Sequence, residues 1–418
     1  MNIYAVIILS TLILESVLNL IADLLNLKTL SGDVPDEFGT VYNAEKYRKS
    51  QAYTRVKTRF GFITSGFDLV TILVFWFSGG FNFLDSIVRS WSMHPIWTGL
   101  VYIGLLILVK SILSLPFSIY ATFVIEERFG FNKTTPKIFI TDLLKGLALS
   151  IVLGGPLLAG ILAFFQYAGI WAWFYAWLVS TAFTLFVQYI APTWIMPLFN
   201  KFIPLEENEL RKHILDYARS VDYPLKGVFV MDGSKRSTKS NAFFTGFGKN
   251  KRIALFDTLI EKHANPELVA ILAHEIGHYK KKHVLQGSII GILHMGVIFY
   301  LLSLFLTQQG LFQAFYMEYS SIYTGFIFFG MLYTPVELIL SIFMQLFSRH
   351  NEYQADRFVT ETIEDPIPFI DALKTLSVHN LTNLRPHPFY VFLNYSHPPV
   401  LQRIQTIRQI KTSLTGKK

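Results

Sequence analysis

The segment from Leu272 to His278 has the residue types and spacing that could hold a metal ion and activate water. Its last five residues have the pattern His-Glu-x-x-His, with His274 and His278 four residues apart and Glu275 directly after the first histidine. Side chains four residues apart lie on one face of a helix, so both imidazoles could bind one tetrahedral Zn²⁺. Glu275 would lie beside them as general base toward the metal-activated water. The pattern predicts one Zn²⁺ per chain and hydrolytic chemistry.

A catalytic zinc site needs a third protein ligand and one open position. The best candidate is Glu352, in a segment expected to continue as a helix from the last apolar stretch. Asp356 lies one helical turn further and could accept a hydrogen bond from the free ring nitrogen of a metal-binding histidine. His350 is a rival ligand, but helical spacing points it elsewhere. The alternative is a solvated charged helix face, which the His-Glu-x-x-His pattern makes less favourable.

A third segment, Asn394–Pro399, places His397 in a turn that is stiffened by two prolines, with Arg403 just beyond. Peptide hydrolysis develops negative charge on an oxygen, which a positioned histidine or arginine can stabilise. His397 could be that donor or an ordinary histidine of a surface turn, and spacing alone does not decide between the two.

Composition places these residues in a membrane protein. Of 418 residues, 52% are hydrophobic and 16% are charged, against about 25% charged in a typical soluble domain. A membrane-spanning helix needs about 20 mostly apolar residues. Seven stretches qualify, approximately 3–27, 61–83, 98–124, 139–165, 170–198, 285–307 and 323–347. The first lacks the basic start and cleavage site of a signal peptide, so we expect a retained span. The absence of cysteine excludes disulfides and cysteine-bound metal.

Basic residues alternate between the loops. The segments after spans 1, 3, 5 and 7 are rich in Lys and Arg, the loop after span 2 has only Arg89, and the loops after spans 4 and 6 have none. The positive-inside rule therefore predicts an outside N-terminus and a cytoplasmic C-terminus. The same rule accounts for the net charge of +8 without nucleic-acid binding.

Several predicted spans carry ionisable residues. Charges are costly in hydrocarbon, so those deep in their stretches are expected to face the protein interior or trapped water. Asp68, Lys110 and Glu337 are the deepest. A water-containing space between the helices would suit them.

Two polar blocks, residues 199–284 and 348–418, fall on the same predicted side of the membrane. We expect them to fold together as one protease domain. The chain then divides into residues 1–198 with spans 1–5, 199–284 with the His-Glu-x-x-His helix, 285–347 with spans 6 and 7, and 348–418 as the C-terminal part of the protease domain.

The first polar block contains strand and helix signals. Gly227–Asp232 and Lys251–Asp257 predict short strands, and Asn241–Gly248 predicts a third that is bounded by turns. Asn265 is a candidate N-cap for the helix that carries His274, and Pro266 suits its first position.

Further segments resemble the type I CAAX prenyl proteases, membrane zinc metalloproteases that trim prenylated proteins. The resemblance extends over most of the chain, although the first ~50 residues match only in being a span. Besides the three segments described above, it rests on Phe123–Lys133, Ala191–Lys201, Asp232–Ala242 and Lys249–Thr258.

The resemblance implies a mainly α fold, a barrel of seven transmembrane helices around a water-filled chamber, with a zincin-like (gluzincin) α+β catalytic domain whose zinc site faces the chamber. It also implies a role for each candidate residue. Zinc would be bound by His274, His278 and Glu352, Glu275 would be the base, Asp356 would support a ligand, and His397 and Arg403 would stabilise the oxyanion. The Asn241 segment would be an edge strand beside the cleft, to which an extended peptide could pair.

The function expected from these observations is zinc-dependent cleavage of membrane-associated substrates, CAAX-type prenylated proteins among them. The expected partners are a peptide or protein substrate and the lipid bilayer, with no nucleic acid. The chain is shorter than we expect for eukaryotic members, and its terminal Lys417 and Lys418 do not form an ER-retrieval signal. A bacterial inner membrane is therefore favoured over the endoplasmic reticulum.

Two other functions are compatible with part of the pattern. A quality-control membrane metalloprotease of the heat-shock type would share His-Glu-x-x-His, but seven spans and the motifs around Glu126 and Asn132 count against it. A non-catalytic scaffold or transporter could keep a structural zinc. Glu275 counts against that class, because a structural site has no use for a base.

Overall fold

Seven long apolar helices form the membrane part of the chain. The structure, a computed structural model, describes residues 1–30, 33–245 and 251–415. Within these residues, seven helical segments are long and apolar enough to cross a bilayer, and we number them spans 1 to 7: Ile3–Lys28, Ala44–Phe77, Pro95–Glu126, Pro136–Tyr167, Gly169–Phe199, His283–Phe305 and Ile322–Thr362. The predicted number of spans is confirmed.

The α-helices and the spans do not coincide everywhere, because short π-helical and 3-10 turns join or extend some helices. In chain order the α-helices are α1 (Ile3–Lys28), α2 (Ala44–Phe77), α3 (Gly80–Ser90), α4 (Pro95–Tyr120), α5 (Pro136–Leu149), α6 (Gly155–Tyr167), α7 (Ala172–Ile190), α8 (Met196–Phe199), α9 (Glu209–Ser220), α10 (Asp257–Ile260), α11 (Asn265–Lys280), α12 (His283–Phe305), α13 (Gln309–Gln313), α14 (Ile322–Thr362), α15 (Ile367–His379), α16 (Pro388–Asn394) and α17 (Val400–Thr415).

Polar side chains fix where several spans begin. The side-chain oxygen of an Asn, Thr or Ser before the first helical turn accepts a hydrogen bond from a backbone N–H that the helix leaves unpaired. The caps are Asn2 for α1, Asn43 for α2, Thr135 for α5 and Ser321 for α14.

The second span differs from its predicted bounds. Helix α2 begins at Ala44, well before the apolar stretch, and ends at Phe77. Gly79 has a φ of +75°, a left-handed conformation that glycine adopts at little cost, and the chain then starts α3. The prediction that span 2 reaches residue 83 is therefore wrong, because residues 80–83 belong to a separate helix.

The outer surface of the spans is apolar. Val70, Ile151 and Phe343 are among many large hydrophobic side chains that the protein leaves exposed. The most apolar windows of the seven spans have mean hydropathies of 1.6 to 2.3. A continuous apolar surface of this kind suits contact with lipid and would be unfavourable in water.

A cavity of about 1160 Å³ lies between spans 1, 2, 3 and 7. The predicted interior placement of Asp68 and Lys110 is confirmed, because both line this cavity and form an ion pair with each other. Glu337 lies elsewhere, with Oε2 3.7 Å from His294 Nε2. This cavity is consistent with the expected chamber, and Asn394, three residues before His397, lines it. The three residues expected to bind zinc are not among its lining residues.

A small mixed sheet lies in the first of the two polar blocks, residues 199–284. Its strands are β1 (Phe202–Pro204), β2 (Leu225–Met231), β3 (Ala242–Thr245) and β4 (Lys251–Phe256), in the order β1-β2-β4-β3 among the described residues. Strand β4 runs parallel to β2 and antiparallel to β3, and β1 is antiparallel to β2. Strand β3 is thus an edge strand.

The predicted strands are confirmed with shifts of one or two residues at their ends. The third predicted strand is present as residues 242–245, while residues 246–248 of that prediction lie outside the described residues. Strand β1 was not predicted, because it has three residues and ends in Pro204. Proline is unfavourable inside a strand and is usually confined to edges and ends, where β1 lies.

Helix α11 lies between this sheet and the helices of the C-terminal block. One side packs Leu268, Ile271 and Leu272 against the buried strand residues Ile253 and Leu255. Its other side packs Ala270 and Ala273 against Val359 of α14 and against α15. Both polar blocks therefore contribute to one core, with α11 at its centre.

Candidate metal centre

Helix α11 begins one residue earlier than its sequence suggests. Asn265 is already helical, Ala264 is the N-cap without a side-chain hydrogen bond, and Pro266 lies in the first turn. The prediction of Asn265 as N-cap is therefore wrong. The first turn is held instead by His263, whose Nδ1 lies 2.6 Å from Oε2 of Glu267.

Three side chains converge between α11 and α14. The Nε2 atoms of His274 and His278 are 3.2 Å apart. Each lies 3.3 Å from a different carboxylate oxygen of Glu352. One nitrogen or oxygen from each of the three residues lies within 4.8 Å of the others, so the group could hold a metal ion.

The spacing and chemistry of this group fit Zn²⁺. Ligand atoms at about 2.0–2.1 Å from a tetrahedral zinc ion are separated from each other by about 3.3 Å, close to the distances observed here. The Oε2 atom of Glu352 is buried and has no hydrogen-bond partner among the described residues. A buried carboxylate is stabilised by positive charge, which a metal ion would add to that of Arg403, whose Nη1 lies 3.6 Å from this oxygen. Two imidazoles and one carboxylate are a donor set that catalytic zinc sites use.

Span 7 brings Glu352 to the two histidines. Helix α14 continues without a break from the membrane to Thr362, so the prediction that the segment of Glu352 extends the last span is confirmed. Glu352 and Asp356 are both buried on the side of α14 that faces α11. His350, which was predicted to point elsewhere than Glu352, is exposed and contacts Gln354.

The other ring nitrogen of His274 contacts Asp356. His274 Nδ1 lies 2.9 Å from Asp356 Oδ1. Arg403 holds the same carboxylate with two donors, Nε at 2.9 Å from Oδ2 and Nη2 at 2.5 Å from Oδ1. Burial and the Arg403 guanidinium lower the pKa of His274, but the hydrogen bonds to Asp356 and Glu352 outweigh them and raise it to about 9. This arrangement favours a positive charge on or beside the imidazole.

Glu275 lies next to His274 on the helix and is half-buried. Burial raises its pKa, although the neighbouring His274 and His278 act in the opposite direction. A raised pKa makes a carboxyl group a stronger base when it is ionised.

The turn with His397 reaches the same group. His397 Nε2 lies 3.3 Å from Glu352 Oε1, with the side chain 64% exposed. Arg349 fixes this turn because its guanidinium donates to the carbonyl groups of Val391 and Tyr395. The structure thus brings His397 together with the three converging side chains.

Arg403 is buried and reaches two parts of the site. Besides its two contacts with Asp356, its Nη1 lies 3.6 Å from Glu352 Oε2. The sequence suggested a role for Arg403 only through resemblance, because Asp356 and Arg403 are 47 positions apart and come into contact only in the folded structure.

Asn241 directly precedes the edge strand. Its side chain is exposed and accepts a hydrogen bond from the N–H of Ala242, while its carbonyl accepts one from Phe256 N–H at 3.1 Å. The residue therefore fixes the start of β3 against β4.

A contact that sequence reasoning missed anchors this strand to the membrane helices. Lys239, two residues before Asn241, donates to Glu126 Oε2 at 2.9 Å and to the hydroxyl of Tyr53 at 2.8 Å. Tyr53 also donates to Glu126 at 2.6 Å. We call Tyr53, Glu126 and Lys239 the membrane clamp. It joins spans 2 and 3 to the segment that leads into β3.

Backbone hydrogen bonds reinforce the clamp. Thr238 N–H donates to Phe131 C=O, and Lys133 N–H donates to Arg236 C=O, each at 3.0 Å. The segments 123–133 and 232–242, which the sequence marked only by resemblance, are thus neighbours in space. Both segments contain basic and acidic residues that could form ion pairs, but the sequence does not indicate that the two segments contact each other.

Similarity to known proteins agrees with this geometry. Residues 23–201 match the family model described as CAAX prenyl protease N-terminal, five membrane helices, and residues 204–411 match peptidase family M48. The chain is 37% identical to a rice CAAX prenyl protease 1 homolog, with 90% of each chain covered. It is 35% identical to CAAX prenyl protease 1 of Saccharomyces cerevisiae, covering 87% of this chain and 86% of that protein. The chain belongs to the CAAX prenyl protease family.

A solved structure shows the same fold in this family. The crystal structure of S. mikatae Ste24p superimposes with a TM-score of 0.91 at 33% sequence identity and covers 97% of this chain and 99% of that one. The expected fold class, helical membrane spans with an M48 protease domain, is confirmed. This CAAX prenyl protease family member is therefore an integral-membrane metalloendopeptidase with about seven spans.

Proposed function

We propose that this protein uses one Zn²⁺, bound by His274, His278 and Glu352, to cleave peptide bonds in membrane-associated proteins, including prenylated proteins with a CAAX-type end. The convergence of these side chains within 4.8 Å, directly beside Glu275, carries the proposal. Relatives named as CAAX prenyl proteases support the substrate class. The match of residues 23–201 to the five-helix CAAX model favours it over the quality-control alternative.

Each side chain at the site has a chemical task in this proposal. When bound, Zn²⁺ supplies a Lewis acid that polarises the scissile carbonyl and makes water more acidic. Glu275 takes one proton from the attacking water and later delivers it to the nitrogen of the leaving amine. Burial raises the pKa of Glu275, which makes its carboxylate a stronger base toward the attacking water.

His397 and Arg403 stabilise the oxygen that becomes negative as water adds to the carbonyl. His397 Nε2 is suited to this by its position at the mouth of the site, 3.3 Å from Glu352. Arg403 presents Nη1 3.6 Å from the other carboxylate oxygen of Glu352. Its other two nitrogens hold Asp356, so Arg403 also keeps His274 in place through that carboxylate. Preorganised donors of this kind lower the barrier because they need no rearrangement during the reaction.

The edge strand β3, entered at Asn241, is the proposed support for the substrate backbone. An extended peptide can add to an exposed sheet edge through main-chain hydrogen bonds, so recognition need not depend on each side chain. The clamp at Lys239 holds the beginning of this strand against the spans. A substrate that is tethered to the membrane would therefore meet the strand close to the bilayer.

The proposed orientation puts the protease domain, residues 199–284 with 348–418, on the cytoplasmic side. The alternation of basic loops supports it. The bacterial inner membrane that the sequence favoured stays a prediction, and the relatives named above come from eukaryotes.

The test is hydrolysis of a synthetic farnesylated CAAX-type peptide by the detergent-purified protein, with and without a zinc chelator and with Zn²⁺ restored. We expect cleavage before the terminal tripeptide that the chelator abolishes and Zn²⁺ restores. Glu275→Gln should retain one zinc per chain and lose activity. Cleavage by that variant at the wild-type rate would refute the mechanism, and absence of zinc from the wild-type protein would refute the metal site.

A further inference from the structure

The imidazole of His278 has a partner on each side. Its Nε2 faces His274 and Glu352, and its Nδ1 lies 3.0 Å from Nδ1 of His283. His283 is the first residue of α12 and is buried. The two rings are 74° from coplanar with centroids 5.0 Å apart. This edge-on contact allows a ring N–H of one histidine to point at the ring lone pair of the other.

The backbone before His283 is in an unfavourable conformation that produces this contact. Lys282 has a φ of 60° and a ψ of 28°, a left-handed conformation that costs a residue with a side chain roughly 1–2 kcal/mol. It reverses the chain between the end of α11 at Lys280 and the start of α12. His283 is thereby turned back onto the last turn of the helix that carries His278.

The contact continues to the surface through α14. His283 Nε2 lies 3.1 Å from Gln354 Oε1, and Gln354 Nε2 lies 2.7 Å from His350 Nε2. Gln354 is half-buried and His350 is exposed. A chain of four polar side chains, His278, His283, Gln354 and His350, thus begins at the metal centre and ends in solvent.

Only one direction of hydrogen bonding is compatible with a cation beside His278. To offer its Nε2 lone pair, neutral His278 must carry its proton on Nδ1 and donate it. His283 must then accept at Nδ1, and its own proton lies on Nε2, where Gln354 Oε1 accepts it. The amide nitrogen of Gln354 is left as a donor to His350. Every atom in the chain has the donor or acceptor capacity that this order requires.

We propose that His283 is a positioning residue that fixes the tautomer and ring orientation of His278, with Gln354 fixing His283 in turn. This inference rests on the proposed zinc site. The two histidines are then supported in different ways, His274 by the charged carboxylate of Asp356 and His278 by a neutral imidazole. Partners of this kind typically change metal affinity by about 10- to 100-fold when they are removed.

The experiment compares Zn²⁺ affinity, by chelator competition, and the visible absorption spectrum of the Co²⁺-substituted protein in four variants of the full chain. His283→Phe keeps a ring but removes the acceptor, and we expect about 10- to 100-fold weaker zinc binding and altered Co²⁺ bands. His283→Asn keeps an acceptor near the Nδ1 position and should restore most of the affinity. His283→Gln places its acceptor one bond further away and should bind zinc less well than His283→Asn. The matched control is His294→Phe, because His294 lies on the same helix and contacts Tyr333 instead.

Wild-type zinc affinity and an unchanged Co²⁺ spectrum in His283→Phe would overturn the proposal while leaving the zinc site intact. If His283→Phe does not fold, the two amide variants decide, since equal zinc affinity of His283→Asn and His283→Gln would also overturn it. Failure of the wild-type protein to bind zinc would instead refute the proposed function on which this inference rests.

Discussion

Gly277 of α11 and Ala355 of α14 are in backbone contact. A Cβ atom on Gly277 would lie 3.2 Å from both the Cα and the carbonyl oxygen of Ala355, closer than most side-chain contacts in proteins. Gly277 lies between His274 and His278 on one helix, and Ala355 lies between Glu352 and Asp356 on the other. The small residues therefore set the distance between the two helices at the level of the metal centre. A change of a few tenths of an ångström here alters the distances from Glu352 on α14 to both histidines on α11.

Gly277→Ala should weaken zinc binding without removing any candidate ligand. The added methyl group meets backbone atoms that cannot move away as a flexible side chain would, so α11 and α14 must separate. We expect a loss of about 1–3 kcal/mol in stability, as for overpacking elsewhere, and a loss of zinc affinity measured by chelator competition.

The control is Gly287→Ala, because a Cβ at Gly287 meets no atom within 4 Å. That helical substitution should stabilise the protein slightly or leave it unchanged. Equal zinc affinity in Gly277→Ala and Gly287→Ala would show that the helix spacing does not tune the site.

Asp356→Asn should weaken zinc binding and destabilise the fold together. The substitution keeps the size of the side chain but removes the negative charge that accepts two hydrogen bonds from the buried Arg403 guanidinium. Breaking a buried ion pair on one side typically costs about 3–5 kcal/mol. We also expect about 10- to 100-fold weaker zinc affinity, because His274 loses its charged partner. Thermal unfolding and chelator competition measure the two effects.

Asp365→Asn provides the comparison for Asp356→Asn. Asp365 forms an ion pair with Lys411 in which both side chains are about half exposed, and such pairs contribute about 1 kcal/mol or less. A melting temperature for Asp356→Asn no lower than that of Asp365→Asn would contradict the role assigned to the buried pair.

The convergence of the ligand candidates was predictable because its elements depend on local pattern and membrane geometry. The four-residue spacing of His274 and His278 fixes their shared face, and the two spans between His278 and Glu352, spans 6 and 7, return Glu352 to the same side of the membrane. Hydropathy sets the number of spans because each one must satisfy its own backbone in lipid. These constraints act over short stretches, so the sequence states them directly.

Contacts between distant polar residues were not predictable in the same way. Lys239 and Glu126 are 113 positions apart, and neither carries a local signal that names the other. His283 lies only five residues from His278, but their contact depends on the left-handed backbone of Lys282. A lysine gives no indication of that conformation, which glycine or asparagine would have suggested. The features that were not predicted are therefore contacts and backbone conformations that tertiary packing imposes on residues whose local conformational preferences differ.

Lys239→Met should impair substrate binding more than chemistry. It removes the cation of the membrane clamp, whose Nζ also lies 4.4 Å from the ring centroid of Phe131, but keeps an unbranched side chain at this position. If β3 supports the substrate, a less fixed strand should raise KM for the farnesylated peptide several-fold, while kcat and zinc affinity change little. Steady-state kinetics over a range of peptide concentrations measures the two constants separately.

Asp216→Asn is the control for a lost surface charge, because Asp216 pairs with Arg219 on the exposed face of α9. The control should leave both constants unchanged. A fall in kcat with no change in KM for Lys239→Met would contradict a role in positioning the strand that binds the substrate.

Protonation of Glu37 in acid should lower the stability of the folded protein. Burial raises the pKa of this carboxyl, but the ion pairs with Lys374 and Arg408 outweigh burial and hold it below the usual value of 4.5. The unfolded state therefore binds more protons than the folded state in this range. The stabilisation is present in full above the ordinary glutamate pKa and is lost as the pH falls through the lower folded-state value.

Glu37→Gln should lower the free energy of unfolding at pH 7 by about 1.5–3 kcal/mol, the usual contribution of hydrogen bonds to charged groups. The difference from the wild-type protein should shrink as the pH falls below 4.5, because the wild-type carboxyl becomes neutral as well. Thermal unfolding of both proteins between pH 7 and pH 3 measures it, with Asp36→Asn as the control at an exposed neighbouring position. A difference that stays constant over this range would show that packing, and not the charge of Glu37, holds this loop against α15 and α17.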